Sequence, residues 1–457
     1  MSERPKSVGR VLTRQATPAH GDVGLREEAA NPTYGGWPTT PLGKLTKNFD
    51  SVRVPVKGAD RKSGKYPYYG ASGIVDHVDG FLFDGEYLLI AEDGENLRTR
   101  QTPVAFMATG KFWVNNHAHI VQGNDRALTR YLSYALSQTE ISGFLSGSTM
   151  PKLTQGNMNR IPVIEPPLPE QKAIAHILVT LDDKIELNRR MNATLEAMAR
   201  ALFQSWFVDF DPVRAKLDGR EPAGLDAATA ALFPAHFQDS TLGHIPHGWG
   251  VRSLDQIAHF LNGLALQKYP PGDGATLPVI KIAQLRKGGS EGADRCNTEL
   301  APQYIVEDGD VLFSWSGSLE VELWCGGQGA LNQHLFKVTS HEFPKWFYYL
   351  WTLYHLDEFR LIAAGKATTM GHIQRGHLTA AKALVPPPAL LKSMTHIMAP
   401  LIDQIIANRA QSRTLATLRD ALLPKLLGGE LCISESKTKA KAKAKAKASL
   451  GSPANLP

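Results

Sequence analysis

Two long stretches of the chain carry the same spacing of apolar residues, and each predicts one long helix. In residues 166–207 the apolar side chains recur at alternating steps of three and four, which places them along one face of a helix. The same stretch returns without a gap at residues 386–427, so that Asn408, for example, falls on Asn188 at an offset of 220. The repeated unit is about half of the 457-residue chain, which indicates a duplicated module and not a solenoid.

The length of the apolar stripe predicts that the two helices pair with each other. Roughly 38 residues at about 1.5 Å per residue give a helix on the order of 57 Å long, and such a stripe needs a partner of similar length. We therefore predict an antiparallel coiled coil. A buried asparagine typically fixes the register of a coiled coil, whereas the alternative is that both asparagines lie in water at the edge of the stripe. The predicted residues of the helix-pair seam are Ile174, Leu178, Leu181, Ile185, Asn188, Leu195, Leu202, Leu401, Ile405, Asn408, Leu415 and Leu422.

One residue breaks the symmetry between the two helices. Pro400 stands where the first copy has Thr180. Because a proline inside a helix removes a backbone donor and clashes with the preceding turn, we expect the second helix to be kinked or split near its start.

A globular module precedes each helix, over residues 37–165 and 246–385. Short apolar runs between Gly and Asp turns predict strands in both modules, and residues 131–136 predict a helix. The modules share anchors such as the triplets at 115–117, Asn-Asn-His, and 332–334, Asn-Gln-His, but they differ heavily between the anchors. The sequence therefore predicts an α+β fold in which two globular domains are separated by the paired helices, with a pseudo-twofold internal repeat. A common scaffold with different intervening stretches is what two readers of different targets would have.

The remaining segments have the composition of extensions and linkers. Residues 1–36 are rich in Pro, Gly and charge without periodicity, and we predict that they are disordered. Residues 208–245 form a Gly/Ala/Pro-rich connector. Residues 429–457 form a Lys/Ala-rich tail, which we also predict to be disordered.

Composition narrows the class of protein. Apolar residues make up 43% of the chain, which is ample for sizeable cores, and no run of eighteen apolar residues predicts a membrane span. The N-terminus lacks the apolar core of an export signal, and the three cysteines are far apart and odd in number, so we expect a cytoplasmic protein. The net charge of +6 permits binding to a polyanion, but much of it lies in the tail, so bulk charge argues only weakly for such a partner.

The sequence offers no catalytic or metal-binding constellation. Neither a cofactor loop nor paired acids with a lysine stand out, so no catalytic residue is predicted. His117 and His119 have a spacing that could hold a metal ion, but no carboxylate or cysteine pattern supports one, and we predict no metal site.

Polar and cationic stretches in both modules predict contacts with DNA. Arg, Lys, Asn, Gln, Ser and Thr read base edges or contact phosphates, although the alternative for any single cation is a solvated surface charge and tyrosines are more often part of a core. The small, donor-rich loops at 147–152 and 366–372, which match at the 220-residue offset, are the strongest candidates. The two Asn-containing triplets could read adenine, but because both modules keep them we favour a role as strand-end amides that support the fold. The candidate DNA-binding residues are Lys62, Lys65, Tyr69, Arg98, Arg100, Ser148, Thr149, Lys152, Lys268, Lys281, Arg286, Lys287, Ser316, Lys366, Thr368 and Thr369.

Four motifs resemble the shared regions of type I restriction-modification specificity (S) subunits. They are Pro-Pro-Leu-Pro-Glu-Gln-Lys at 166–172, Leu-Asp-Asp-Lys-Ile at 181–185, Trp-Phe-Val-Asp-Phe-Asp-Pro-Val at 206–213 and Leu-Leu-Pro-Lys-Leu-Leu-Gly-Gly-Glu-Leu at 422–431. The resemblance covers about residues 37–431, and Pro400 and the tail depart from it. It implies that each module is a target recognition domain that reads one half of a two-part sequence on double-stranded DNA, with the helices setting the unread spacer.

The same resemblance implies a set of partners. The helices would dock two methyltransferase (M) subunits and, through them, the restriction/translocase (R) subunits. S-adenosylmethionine and ATP with Mg would be bound by those partners, so this chain would hold no cofactor and would not be an enzyme. From the residues alone, two other functions stay open: a coiled-coil protein adaptor without sequence-specific DNA reading, or a stand-alone DNA-modifying enzyme.

Overall fold

The structure, a computed structural model, describes residues 37–365, 371–431 and 433. Its backbone contacts divide the chain into two units. The first unit is built from the N-terminal module up to residue 168 together with residues 427–431, and the second unit contains the other described residues. The predicted N-terminal extension and nearly all of the predicted Lys/Ala tail lie outside the described residues.

The first unit is an α+β module built on one large sheet. Its strands are β1 (Thr39–Pro41), β2 (Thr46–Asn48), β3 (Ser63–Gly70), β4 (Gly73–Val78), β5 (Phe83–Ala91), β6 (Ala105–Val114), β7 (Ala118–Gly123) and β8 (Pro162–Ile164). Its α-helices are α1 (Asn96–Thr99), α2 (Thr129–Gln138) and α3 (Gln155–Arg160), and its 3₁₀ helices span Leu42–Lys44, Asp50–Val52, Gly58–Asp60 and Ser142–Phe144. Six strands form a sheet in the order β2-β7-β5-β6-β3-β4, and β1 pairs antiparallel with β8.

The core of the first unit lies around β5. Leu88, Leu89 and Ile90 are consecutive and all buried, which shows that this central strand is covered on both faces. Helix α2 buries Tyr131 in the same module, and the Tyr131 hydroxyl donates a hydrogen bond to the carbonyl oxygen of Ile164 at 2.9 Å. A buried tyrosine with a satisfied hydroxyl fixes α2 against β8.

The second unit contains the other module and most of both long helices. Its strands are β9 (Phe237–Ser240), β10 (Gly243–Pro246), β11 (Gly250–Ser253), β12 (His259–Asn262), β13 (Thr276–Ile280), β14 (Arg295–Asn297), β15 (Ile305–Val306), β16 (Val311–Ser314), β17 (Val321–Leu323), β18 (Gly329–Leu331), β19 (Leu335–Thr339) and β20 (Lys382–Val385). The helices are α4 (Leu168–Phe207), α5 (Asp211–Leu217), α6 (Ala227–Leu232), α7 (Leu254–Ile257), α8 (Ile282–Lys287), α9 (Lys345–Tyr354), α10 (Leu356–Ala364), α11 (Arg375–Ala380) and α12 (Pro388–Leu427), with 3₁₀ helices at Leu266–Lys268 and Pro302–Tyr304. Two four-stranded sheets, β12-β19-β16-β17 and β14-β13-β18-β15, lie beside the antiparallel pairs β9–β10 and β11–β20.

The two long helices, α4 and α12, are confirmed as an antiparallel pair. Asp182 of α4 contacts Arg419 of α12 at 2.7 Å, and Asn192 contacts Asn408 at 2.9 Å, so residue numbers fall along α12 as they rise along α4. Both bounds of α12 differ from those of α4 by 220 residues, which is the offset of the sequence repeat. Of the predicted apolar seam residues, Ile174, Leu178 and Ile405 are buried, whereas Leu181, Ile185, Leu195, Leu202, Leu401, Leu415 and Leu422 are half-buried.

The middle of the helix pair is polar. Asn188 is 1% exposed and donates from Nδ2 to Gln411 Oε1 at 2.9 Å and to Ser412 Oγ at 3.2 Å. Asn408 is 4% exposed and donates from Nδ2 to Asn192 Oδ1 at 2.9 Å. The alternative that the asparagines lie in water is therefore wrong. Asn192 is a further buried seam residue, and in the sequence it resembles a polar filler between apolar positions.

The second module shares one core with both long helices. Phe203 and Phe207 of α4 pack against Trp351 of α9 with ring centroids 5.0 and 5.6 Å apart, and Met394 and Met398 of α12 belong to the same buried cluster. A shared core means that the second module is packed on the helices rather than joined to them by a flexible link.

The segment from 208 to 245, which has the composition of a linker, is folded. It contains α5, α6 and the hairpin strand β9, and its Val213 and Phe233 are buried in the core shared with the long helices. Asp226 begins α6 by accepting a hydrogen bond from the Thr229 backbone nitrogen at 2.9 Å. A few well-spaced apolar residues are enough to order a stretch whose average composition is that of a connector.

Pro400 does not split the second helix. Helix α12 runs through Pro400 without a break, so the expected split is wrong. An internal proline costs about 3 kcal/mol in an isolated helix. Here the proline itself is exposed, while Met398 and Ile402 on either side are buried in the shared core, and this packing holds the helix together.

Candidate nucleic-acid interface

Three segments of the first module meet where β5 ends. The backbone nitrogen of Glu92 donates to the carbonyl oxygen of His117 at 2.9 Å, and the backbone nitrogen of Leu153 donates to the carbonyl oxygen of Glu92 at 2.7 Å. Asp93 forms an isolated bridge with Lys152. We call this meeting point, with Asp93, His117 and Lys152 at its surface, the strand end of the first module.

The second module has the same arrangement where β16 ends. The backbone nitrogen of Trp315 donates to the carbonyl oxygen of His334 at 3.3 Å, that of Ile373 donates to the carbonyl oxygen of Trp315 at 3.0 Å, and Ser316 bridges to His372. These bonds align the two strand ends residue by residue. Position 93 corresponds to 316, position 117 to 334 and position 152 to 372.

The first asparagine of each triplet supports the backbone. Asn115 Oδ1 accepts from the backbone nitrogen of His117 at 2.8 Å, and Asn332 Oδ1 accepts from that of His334 at 3.3 Å. Both asparagines are buried. This geometry matches the favoured interpretation of strand-end amides, but only for the first residue of each triplet.

The imidazole of His117 lies at the surface of its strand end, whereas that of His334 is half-buried and is contacted at both ring nitrogens. His117 Nδ1 lies 2.8 Å from Asp93 Oδ2, and the His117 side chain is 52% exposed. His334 Nδ1 lies 3.0 Å from Ser316 Oγ. The scaffold is the same in both modules, and the residue that holds the imidazole is not.

The loop at 146–152 lies beside the first strand end and is tightly closed. Its ends pair through Ser146 and Lys152, whose backbone groups exchange hydrogen bonds of 2.8 and 2.7 Å. Gly147 has φ +86°, and a Cβ there would lie 2.3 Å from the Met150 carbonyl oxygen, so only glycine fits. Arg98 donates to the carbonyl oxygens of Gly147 and Ser148, each at 3.2 Å. Candidate Arg98 therefore shapes the loop that presents the exposed candidates Ser148 and Thr149.

Some candidate residues have roles within the fold. Arg100 donates to the carbonyl oxygens of Leu136, Ser137 and Thr139 at the end of α2, which uses its guanidinium to cap that helix. Tyr69 packs edge-on against Phe112 with ring centroids 5.5 Å apart, which agrees with the alternative that tyrosines belong to the core. Burial raises the pKa of the Tyr69 hydroxyl.

The remaining candidates are either buried, paired, exposed or outside the described residues. Ser316 is 3% exposed and faces His334, and Lys281 is paired with Asp294. Lys62, Lys268, Arg286 and Lys287 are exposed. Lys366, Thr368 and Thr369 lie outside the described residues.

A second exposed cluster in the first module combines cations with aromatic rings. Lys65 Nζ lies 5.3 Å from the centre of the Tyr66 ring, Tyr66 and Phe81 lie 5.1 Å apart, and Lys111 Nζ lies 4.6 Å from the centre of the Phe81 ring. Such surfaces suit nucleic acids, because bases stack on rings and phosphates attract ammonium groups. Lys65 is among the DNA-binding residues predicted from the sequence, whereas Phe81 and Lys111 are brought to the cluster only by the fold.

A buried charge network lies beneath the first strand end. His119 Nδ1 lies 2.6 Å from Asp50 Oδ2, and Glu92 accepts from Arg53 at 2.9 Å and lies 3.3 Å from Lys152 Nζ. Burial disfavours both charges of the first pair, but their mutual hydrogen bond outweighs it, raising the pKa of His119 and lowering the pKa of Asp50. The network therefore anchors Lys152 to the interior of the module.

The described residues were compared with the geometry of metal clusters and of membrane-spanning helices. Among residues 37–365, 371–431 and 433, no three His, Cys, Asp or Glu side chains lie close enough together to hold a metal ion. Over the same residues, no helix has the length and apolar character needed to cross a bilayer.

Comparison with known proteins finds the same two-copy organisation. The family described as Type I restriction modification DNA specificity domain matches residues 35–197 and 246–415. The chain is 25% identical over 434 residues to the type I restriction enzyme MjaIX specificity subunit of Methanocaldococcus jannaschii, covering 87% of this chain and 96% of that one. It is 23% identical over 406 residues to the HindI specificity subunit of Haemophilus influenzae, covering 76% and 84%. The crystal structure of an S subunit from M. genitalium shares the fold, with a TM-score of 0.55 at 14% identity over 87% of this chain and 97% of that one.

Proposed function

Because this chain belongs to the type I restriction modification DNA specificity family, we propose that each of its modules reads one half of a two-part DNA sequence. One observation carries this proposal. The two strand ends share their backbone hydrogen bonds and their supporting asparagine, yet positions 93 and 316, 116 and 333, and 152 and 372 hold different side chains. A common frame with different donors and acceptors is what recognition of two different half-sites requires.

The helix pair would set the unread spacer between the two half-sites. Its register is supported by buried polar contacts between Asn188 and Gln411 and between Asn192 and Asn408, which a shifted register would break. The second module is held on the pair by a shared core and by Arg413, which forms a bidentate contact with Asp308 at 2.7 and 2.6 Å. A rigid support of this kind keeps a half-site at a constant distance.

The outer surface of the helix pair would dock the methyltransferase subunits. Met198 of α4 is 48% exposed and Leu418 of α12 is 46% exposed, and these two residues are equivalent at the 220-residue offset. A single exposed apolar side chain is common on protein surfaces, so the argument depends on the repeat, which places an exposed apolar residue at the same position of both helices. Two equivalent apolar positions support docking of two copies of one partner, and restriction/translocase subunits would join through them.

The chemistry would belong to those partners. S-adenosylmethionine, ATP and Mg would be bound by the methyltransferase and restriction subunits, and this chain would act in the cytoplasm without catalysing a reaction.

Co-expression with the methyltransferase partner tests the DNA-reading function. We expect mapping of methylated adenines to give a two-part sequence with a constant unread spacer. A complex without sequence preference would instead indicate a protein adaptor, and clear binding of S-adenosylmethionine by the chain alone would indicate a stand-alone enzyme.

Docking is tested separately by charge substitution. Met198→Glu and Leu418→Glu should each remove one of two methyltransferase subunits from the complex, as measured by native mass spectrometry, and the double variant should remove both. Arg189→Gln is the control, because Arg189 is exposed and lies nine residues from Met198, which places it on the opposite face of α4; it should leave two subunits bound.

A further inference from the structure

We propose that an amide–imidazole pair at each strand end, Asn116 with His117 and Gln333 with His334, makes the base contacts that distinguish the two half-sites. In the first module Asp93 would set the role of the outer nitrogen of His117, and in the second module His334 would position the Gln333 amide. This inference rests on the proposed DNA-reading function and names the side chains that would perform it.

The backbone beneath each pair is rigid. In the first module, the nitrogen and the carbonyl oxygen of His117 are both taken, by Asn115 Oδ1 at 2.8 Å and by the Glu92 nitrogen at 2.9 Å. In the second module, the same groups of His334 meet Asn332 Oδ1 and the Trp315 nitrogen, each at 3.3 Å. A side chain carried by a backbone fixed at both of its polar groups is positioned for readout before DNA arrives.

The side chains of the pairs are not needed for the core. Asn116 is exposed and the His117 side chain is 52% exposed, whereas the neighbouring Asn115 is buried and carries the supporting role. In the second module, Gln333 and His334 are half-buried beside Trp315, whose ring centre lies 5.8 Å from that of His334. The backbone is thus supported by the first residue of each triplet. In the first module the second and third residues are available for a ligand, and in the second module His334 positions the Gln333 amide for one.

The hydrogen-bond partners of each imidazole decide the role of Nε2. The Asp93 carboxylate only accepts, so the Nδ1 of His117 carries a hydrogen and, in the neutral ring, Nε2 is left as an acceptor. That acceptor suits the amino group of adenine or cytosine in the major groove. In the second module the Gln333 amide nitrogen lies 3.2 Å from His334 Nε2, and because an amide nitrogen only donates, Nε2 accepts from it. The Nδ1 of the neutral His334 ring then carries the hydrogen and donates to Ser316 Oγ, and base contacts in this module fall mainly to the Gln333 amide that His334 positions.

The amide of each pair extends the readout. Asn and Gln side chains suit adenine, because one amide group donates to N7 and accepts from the N6 amino group. Gln333 is longer than Asn116 by one methylene group, and its amide nitrogen lies 3.2 Å from His334 Nε2, so in the second module the two side chains contact each other. The pairs therefore combine the same chemistry with different reach, as two different half-sites would need.

The test uses the complex of the full chain with its methyltransferase partner. Methylation rates are measured on DNA duplexes in which each base pair of each half-site is replaced in turn. His117→Ala and Asn116→Ala should reduce discrimination at one or two positions of one half-site by about tenfold to a hundredfold, since each good base contact carries roughly that ratio. His334→Ala and Gln333→Ala should do the same in the other half-site only.

Two further variants sharpen the result. His244→Ala is the matched control, because His244 makes the same kind of contact, 3.0 Å from Asp239, on the β9–β10 hairpin; it should leave every base preference unchanged. His117→Gln keeps a polar side chain of similar size and secures the measurement if the alanine variant fails to fold; it should shift preference at the same positions.

Base preferences that stay intact in all strand-end variants, or rates that fall equally on every duplex, would overturn this inference. The wild-type complex separates it from the proposed function. If the wild-type complex itself shows no two-part preference, the DNA-reading function is wrong; if it shows one that the variants do not alter, only the assignment of these side chains is wrong.

Discussion

The buried contact between Asn192 and Asn408 makes a strong prediction about the stability of the helix pair. Asn408 donates to Asn192 Oδ1 at 2.9 Å, with Asn192 7% and Asn408 4% exposed. Replacing either residue with leucine leaves the polar atom of the other without its partner. Replacing both removes the two buried amides and adds apolar contact; the Gln404 amide, which donates to Asn408 Oδ1 at 2.7 Å, belongs to an exposed residue and can bond to water instead.

The expected magnitudes follow from the cost of a buried polar group without a partner. Such a group costs about 1–3 kcal/mol, so Asn192→Leu and Asn408→Leu should each destabilise the second unit by roughly 2 kcal/mol. The double variant should lie close to wild type, because replacing both partners with apolar groups can be nearly neutral. The coupling free energy between the two positions is then about 4 kcal/mol, the sum of the two single losses that the double variant recovers.

Urea unfolding followed by tryptophan fluorescence measures this directly. Six of the eight tryptophans lie in the second unit, so the fluorescence change reports mainly on the helices and the module packed on them. Asp403→Leu, at an exposed position of α12, is the control and should change the free energy of unfolding by less than about 0.5 kcal/mol.

Additive losses in the double variant would refute this reasoning. They would show that each asparagine is stabilised by its own surroundings rather than by its partner. Single variants as stable as wild type would show that water reaches the seam.

Further predictions concern charged groups in each unit. Arg409 contacts Glu322 at 3.2 Å, and burial raises the pKa of Glu322 by more than Arg409 lowers it. Because the carboxylate left behind is charged at pH 7 and largely neutral at pH 4, Arg409→Ala should destabilise the second unit more at pH 7. Adding Glu322→Gln should restore most of the lost stability, as measured by urea unfolding. In the pair of Asp50 and His119, the lowered pKa of Asp50 gives stability that is lost as pH falls below the ordinary value of 3.8. The raised pKa of His119 gives stability that is lost as pH rises above the ordinary value of 6.5. Asp50→Asn should therefore lose most stability between these two pH values, and it should lower the His119 pKa measured by NMR. Lys152→Ala should weaken DNA binding by the assembled complex at low salt and reduce the slope of log K against log salt by about 0.9 if it contacts one phosphate, and an unchanged slope would remove it from the interface.

The long helices could be predicted from the sequence because their evidence is repeated many times. The predicted stretches 166–207 and 386–427 differ from the bounds of α4 and α12 by at most two residues. Each turn of a long amphipathic helix shows the same spacing of apolar residues again, and the second copy of the helix doubles the number of turns that show it. Pro400 argued against this pattern locally, but burial of its neighbours outweighed its cost.

The candidate site was harder to predict because the fold, and not the neighbouring sequence, decides which groups a long side chain contacts. Arg98 and Arg100 look alike in the sequence, yet Arg98 holds a loop near the strand end and Arg100 caps a helix. Which carbonyl oxygens a guanidinium meets depends on contacts between residues about 40 to 50 apart, and no local pattern encodes them. Likewise, only the folded turn shows that the first asparagine of each triplet supports the backbone while the histidine side chain points away from it.

Exchange of one module tests the central claim most directly. Residues 246–385 would be replaced by the corresponding module of a related specificity subunit, and methylated adenines would be mapped in cells that also make the methyltransferase. The account predicts that one half of the recognised sequence changes, while the other half and the length of the unread spacer stay the same. A change in both halves, or in neither, would contradict the claim that two independent readers are carried on one pair of helices.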